Sequence, residues 1–266
     1  MLMKLTGISL ITSFSYIRNS VPLKNTFTAF HTLNTRNGIK SAKTPDRISS
    51  LKSVNGVRNY SSSEGLNNTV TSSLIGKLMP SFKGTALLGD DLVQFNSSDY
   101  FKDSYGLLVF YPLDFTFVCP SELLGFSERL KEFEERHVKV LGVSVDSPFS
   151  HKAWKELDVR QGGVSPLKFP LFSDLSREVS SSFGLLRDEG FSHRASVLVD
   201  KAGVVKHVAM YELGLGRSVD ETLRLFDAVQ FAEKTGNVCP VNWKQGDQAM
   251  KPDSQSVKQY LSNRFN

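Results

Sequence analysis

Cysteine is scarce in this chain: two among 266 residues, so a disulfide-rich secreted scaffold and a four-cysteine metal site are both excluded. Long apolar runs are missing too. The longest, Leu107-Leu-Val-Phe-Tyr111, is far short of the roughly 18 residues that span a bilayer, so no membrane role is expected. Acidic residues are nearly absent from one region only. Residues 1–60 hold nine Lys/Arg against a single acid, Asp46, a net +8; the other 23 bases and 26 acids leave −3 for the rest. The basic pI near 9.1 therefore belongs to the leader, and the main argument for nucleic-acid binding falls away. What remains is ordinary globular material, 40% hydrophobic and 22% charged, long enough for one large domain or two small ones.

The leader is basic, acid-poor and hydroxyl-rich, with fifteen Ser or Thr in its 60 residues, as in an organellar transit peptide. Arg58-Asn-Tyr60 followed by Ser61-Ser-Ser63 resembles a mitochondrial processing site, with cleavage after Tyr60. The expected address is the mitochondrial matrix, and a plastid address would use the same features. A disordered tail without an address is the plainer alternative. A secretory signal fits poorly, because Leu5–Thr12 is short and interrupted by Thr, Gly and Ser. A linker over 61–74 is expected to follow.

From about residue 75 short apolar runs alternate with amphipathic stretches. Phe82–Leu88 and Leu92–Phe95 read as a hairpin, and Leu107–Tyr111 as a strand buried on both faces. Leu123, Phe126, Leu130 and Phe133 fall at helical spacing and predict one helix over Ser121–Arg136. Val138–Val145 and Phe169–Phe172 read as strands, and the stretches near His151–Leu157 and Arg177–Phe183 as helices. Ala195–Val199 and Val204–Met210 flank a turn. Ser218 and Glu221 form an S-x-x-E start for a last helix. These units predict an α/β fold, a central mixed β-sheet flanked by helices over 75–232, with a C-terminal arm over 233–266.

The two cysteines, 120 residues apart, both sit in the string Val-Cys-Pro. Cys119 follows a buried strand, the proline Pro112 and a short loop, and Pro120 suits the first helical position. A cysteine at a helix N-terminus faces free N–H groups and the positive end of the dipole, which favour the nucleophilic thiolate. The competing reading is an inert buried cysteine. The histidines show no pairing at metal-ligand spacing with each other or with a cysteine, which argues against zinc.

Phe110-Tyr-Pro112-Leu-Asp-Phe-Thr116-Phe-Val-Cys119-Pro-Ser-Glu122 resembles the active-site loop of the peroxiredoxins, P-x-x-x-T-x-x-C, and is most similar to the typical two-cysteine class. The likeness continues through Gly142–Ser147, His151–Trp154, Arg160–Gly163, Gly216–Arg224 and Val238–Trp243, nearly all of 75–250. It implies a thioredoxin-like fold and reduction of hydroperoxides by thiol chemistry, an antioxidant activity. Cys119 would be the peroxidatic nucleophile and become a sulfenic acid. Thr116 and the Cys119 N–H would hold the peroxide, Pro112 would shield the sulfur, and Arg194 would stabilise charge at the reacting atoms. Glu122 and Arg217 would support them, the plainer reading being a surface ion pair. Cys239 would be the resolving thiol, acting across a homodimer that assembles into a decameric ring, with thioredoxin as reductant. No metal, flavin or haem is implied. A holdase chaperone or a redox relay using the same oligomer is the alternative, and a thiol–disulfide oxidoreductase of the same fold is a second rival that the absence of C-x-x-C argues against.

Three departures from the family pattern stand out: Gly162-Gly-Val-Ser165 for Gly-Gly-Leu-Gly, Tyr260-Leu261 for Tyr-Phe, and Ala195 for the glycine after Arg194. The first two predict lower sensitivity to over-oxidation, since those elements normally slow local unfolding of the site. The third puts the placement of Arg194 in question.

Overall fold

The computed structural model describes residues 73–265, so the transit-peptide expectation and most of the 61–74 linker lie outside the described residues. The central strands are buried along almost their whole length, and the sheet they form is mixed and seven-stranded. Its elements are β1 (Lys83–Leu88), β2 (Asp91–Asn96), β3 (Tyr105–Phe110), β4 (Val138–Ser144), β5 (Leu171–Ser173), β6 (Arg194–Val199) and β7 (Val205–Tyr211), in the order β2-β1-β5-β4-β3-β6-β7. Strands β3, β4 and β5 are mutually parallel and the other pairings are antiparallel.

Central β3 shows why its run is apolar throughout. Leu107, Val109 and Tyr111 enter one hydrophobic cluster, with Leu123, Phe126, Phe133, Trp154 and Phe226. Leu108 and Phe110 enter the cluster on the other face, with Leu141, Val143, Phe172 and Val197. A strand covered on both faces needs an apolar residue at every position, not every second one. Helices α2 (Cys119–Glu128), α3 (Leu130–Glu135), α4 (Pro148–Glu156) and α6 (Val219–Thr235) supply the first cluster, and α5 (Glu178–Ser182) contributes Val179 to the second. The four-residue α1 (Ser97–Tyr100), capped by Asn96, has no counterpart among the sequence expectations.

The expected single helix over Ser121–Arg136 is two. Arg129 leaves helical geometry at ψ +16°, and its side chain pairs with Glu132 of α3 and Asp220 of α6. Phe126 and Phe133 still reach the same cluster, so the apolar period runs across the break and conceals it. The helix also starts earlier than expected: Cys119 is its first residue and Pro120 its second. Ser218 caps α6, accepting from the Glu221 N–H at 3.1 Å, while the Glu221 carboxylate pairs with Arg224 instead of closing the capping box.

The arm starts later than residue 233. Helix α6 ends at Gly236, whose φ of +69° suits glycine at a C-cap. The following segment folds back through a bridge between Val238 and Met250, and buried Trp243 packs on Phe231 of α6 at 4.7 Å between ring centroids. A last helix, α7 (Ser254–Phe265), was not among the expectations; it buries only Tyr260 and so has no apolar stripe to read. No described helix is long and apolar enough to cross a membrane.

Candidate active site

The loop from Pro112 to Val118 joins the buried end of β3 to α2, and that junction sets the position of Cys119. As the first residue of α2, Cys119 has its backbone N–H among the unpaired donors of the helix start, with Pro120 at a position that needs no donor. Its side chain is buried, 1% exposed, and packs in the first hydrophobic cluster. Pro112 is also buried. The Thr116 hydroxyl donates to the Leu113 carbonyl at 2.8 Å, leaving its lone pairs to accept a further hydrogen bond.

Arg194 opens β6 and reaches Cys119 from the sheet. Its Nη1 and Nη2 lie 3.6 and 3.7 Å from Sγ, so two N–H donors of one guanidinium face the sulfur. Nη2 also donates to the Leu213 carbonyl at 2.9 Å, and Nη1 donates to Glu122. The third nitrogen, Nε, is buried with no partner among the described residues. A buried N–H without a partner, on a guanidinium whose other two nitrogens face the sulfur, is a donor still open to a further acceptor. Ala195 does not displace the arginine: its methyl is fully buried in the second cluster, and the guanidinium keeps its contact with the sulfur.

Glu122 sits in the first turn of α2, one helical step from Cys119, and joins two arginines. Its Oε1 accepts from the Arg217 backbone N–H (2.8 Å) and Nε (2.9 Å), and its Oε2 from Arg217 Nη2 (2.9 Å) and Arg194 Nη1. Arg217 Nη1 donates further to the carbonyls of Phe110 at 3.0 Å and Ala195 at 2.8 Å, the facing ends of β3 and β6. The three side chains are at most 2% exposed, so this is not a surface ion pair. The network ties the cysteine helix, the sheet and the start of α6 to one geometry around Sγ.

Cys239 lies in the arm, away from this cluster. Its Sγ is 3.6 Å from the Ala228 carbonyl of α6, it is half-buried, and both cysteines are free. Burial pushes its thiol up, with the Arg224 charge pulling the other way. Arg224 also donates to the Trp243 carbonyl at 2.9 Å and so fastens the arm to α6.

Sequence reasoning missed the polar group behind the loop. Asp114 receives the Tyr111 hydroxyl (2.8 Å), the Ser150 hydroxyl (2.9 Å) and His151 Nδ1 (2.8 Å), and its own N–H donates to Asp146 at 2.9 Å. The loop residues and their partners are 32 to 37 positions apart in three of these contacts, so no local spacing signals them.

The AhpC/TSA family pattern matches residues 75–208, and that of the C-terminal domain of 1-Cys peroxiredoxin matches 228–263. A chloroplastic 2-Cys peroxiredoxin of Hordeum vulgare is 46% identical over 190 residues, 71% of this chain and 90% of the relative. A mitochondrial thioredoxin-dependent peroxide reductase of Drosophila melanogaster is 46% identical over 186 residues, 69% and 79% of the two chains. The reduced 2-Cys peroxiredoxin of Plasmodium vivax superposes with a TM-score of 0.70 at 46% identity, covering 71% of this chain and 99% of that one. The fold is thus the thioredoxin-like fold of those neighbours, and the chain belongs to the AhpC/TSA family, among the 2-Cys peroxiredoxins.

Proposed function

We propose that the chain, a peroxidase by family, reduces hydrogen peroxide and organic hydroperoxides at Cys119. The observation that carries this reading is the buried sulfur at a helix start with two guanidinium N–H donors within 3.7 Å. The Cys119 sulfur attacks the nearer peroxide oxygen as the O–O bond breaks. The sulfur becomes a sulfenic acid, and the departing oxygen leaves as water or an alcohol after taking up the thiol's proton. Thr116 Oγ1 and the Cys119 N–H hold the peroxide in line, Pro112 limits water at the sulfur, and Arg194 offsets charge as it moves to the leaving oxygen. Glu122 and Arg217 fix the orientation of Arg194.

Cys239 then condenses with the sulfenic acid, releasing water and forming a disulfide, which a thioredoxin dithiol reduces. Sulfenic acid and arm meet across a homodimer, and the dimers assemble into a decameric ring. Support for the multimer comes from neighbours such as a Plasmodium yoelii chain whose N-terminally modified form makes an artifactual octamer. Coupled turnover of peroxide with thioredoxin, thioredoxin reductase and NADPH tests the whole cycle. Cys119→Ser should abolish NADPH consumption, and unchanged consumption would defeat the reading. A holdase activity would survive that substitution, whereas a relay, which passes on the oxidation of Cys119, would not.

Two further outcomes follow from the arm and the loop. Because burial raises the Cys239 thiol and thiolate is the attacking form, disulfide formation after the sulfenic acid has formed should accelerate from pH 7 to pH 9, by up to about tenfold per unit. A flat profile in rapid-quench measurements would contradict this. The second concerns over-oxidation. The departures at Gly162-Gly-Val-Ser165 and Tyr260-Leu261 support lower sensitivity, with Val164 buried in the first cluster and Leu261 half exposed. Mass spectrometry after one equivalent of peroxide should find Cys119 in the disulfide; sulfinic acid at that dose would refute lower sensitivity.

For residues 1–60 we propose a mitochondrial address cleaved after Tyr60, from their charge and hydroxyl content. Relatives named for chloroplast and for mitochondrion occur alike. Fusion of residues 1–60 to a fluorescent protein tests the address: matrix import supports it, and plastid or cytosolic fluorescence overturns it.

A further inference from the structure

The buried polar group around Asp114 lies outside the chemistry described above, yet it holds the loop on which that chemistry depends. Asp114 is 6% exposed and its side chain is fully enclosed, as is that of His151. A carboxylate in such a place survives only if its oxygens are satisfied. Oδ1 takes the Tyr111 hydroxyl from the end of β3; Oδ2 takes the Ser150 hydroxyl and His151 Nδ1 from α4. The ring's other nitrogen, Nε2, is 3.3 Å from the Phe172 carbonyl of β5, a group that can only accept. The backbone N–H of Asp114 is taken by the Asp146 carboxylate, which also accepts the Ser144 hydroxyl at 2.6 Å. One loop residue is therefore fastened to β3, α4 and the turn after β4 at once.

The next residue shows what this fastening opposes. Phe115 has φ of +54°, in the left-handed region that a bulky side chain enters at a cost of about 1–3 kcal/mol. Phe115 is 54% exposed, its ring tilted against Trp154 with centroids 5.9 Å apart, so its own burial does little to hold it there. Thr116 follows directly, and its hydroxyl is tied to Leu113 on the other side of Asp114. The strained turn is thus pinned from its N-terminal side by Asp114. Burial and the neighbouring Asp114 carboxylate push Asp146 up, so this anchor carries a second cost that the hydrogen bonds must outweigh.

We propose that Asp114 is a positioning residue for peroxide reduction: its carboxylate, clamped by Tyr111, Ser150 and His151, holds the 112–118 loop so that Thr116 and Pro112 stand over the Cys119 sulfur. This rests on the functional reading above. The carboxylate touches neither sulfur nor peroxide and acts only through the backbone of the loop. Its loss should therefore injure a reaction that needs the loop's geometry and spare one that needs only an accessible thiol.

The test compares two rates at Cys119 in the full chain: oxidation by hydrogen peroxide and alkylation by iodoacetamide. Asp114→Asn, nearly isosteric, removes the charge and turns one of the two oxygens that accept from Tyr111, Ser150 and His151 into an amide donor, so these hydrogen bonds must be rearranged or lost. It should lower the peroxide rate at least about tenfold, since misplacement of about 1 Å can cost on the order of a hundredfold. Alkylation should not fall. Peroxide and alkylation rates that drop together, or a peroxide rate that stays at wild type, would overturn the proposal. If Asp114→Asn does not fold, Tyr111→Phe and Ser150→Ala each remove one hydrogen bond with little change of shape. Their peroxide rates should fall about threefold or more with alkylation retained, and wild-type rates in both would equally overturn it. A wild-type chain whose Cys119 resists peroxide would instead defeat the functional reading itself.

Discussion

Arg194→Lys should slow the oxidation of Cys119 by hydrogen peroxide by about 10²–10³-fold, the usual cost of removing a preorganised donor at the site of developing charge. In the native geometry one planar guanidinium serves the sulfur with Nη1 and Nη2, holds the Leu213 carbonyl and the Glu122 carboxylate, and keeps Nε free. An ammonium on a flexible stem is a single point with three donors, and it cannot meet sulfur, carbonyl, carboxylate and incoming peroxide together. Charge is conserved by the substitution, so the loss measures geometry more than net electrostatics. Stopped-flow or competition kinetics on the reduced chain would show it. A loss smaller than about threefold would mean that Arg194 does not act on the reacting atoms.

Glu122→Gln should destabilise the chain by about 3–5 kcal/mol, the range for removing one partner of a buried ion network. Among the described residues Glu122 is the one carboxylate that both Arg194 and Arg217 contact, and it accepts four hydrogen bonds with its two oxygens. A neutral amide would keep one oxygen and turn an N–H₂ toward guanidinium donors, leaving two buried cations with little compensation. Arg217 would retain the Phe110 and Ala195 carbonyls, so the strand ends would stay together while the Cys119 side of the network loosens. Urea unfolding of the reduced chain measures the difference. A change below about 1 kcal/mol would show that the carboxylate's own desolvation offsets what it stabilises.

Legibility in the sequence followed the range of the interactions. Strand β3 was readable because burial on both faces writes a run of five apolar residues, and α6 because Ser218 and its apolar face are local signals. The place of Cys119 at a helix start was readable from Pro120 and the strand-loop-helix order alone. The break at Arg129 was not, because the apolar stripe continues through it and the pairing that accompanies it, with Asp220, is 91 residues away. Helix α7 escaped because a helix that buries only Tyr260 has no amphipathic period. Arg194, Glu122 and Arg217 came from family resemblance; their mutual distances of 72 and 95 positions leave no pattern in one sequence. The Asp114 group had neither a local pattern nor a motif role to reveal it.

In the proposed cycle Cys119 is oxidised first and Cys239 resolves it on a neighbouring subunit. The most direct measurement treats the reduced chain with one equivalent of hydrogen peroxide and runs it on a non-reducing denaturing gel beside Cys119→Ser and Cys239→Ser. A band at twice the chain mass is expected in wild type and is lost in either variant, with Cys119 trapped as sulfenic acid in Cys239→Ser. Two thiols still reduced after peroxide, or a doubled band that persists without Cys119, would contradict it.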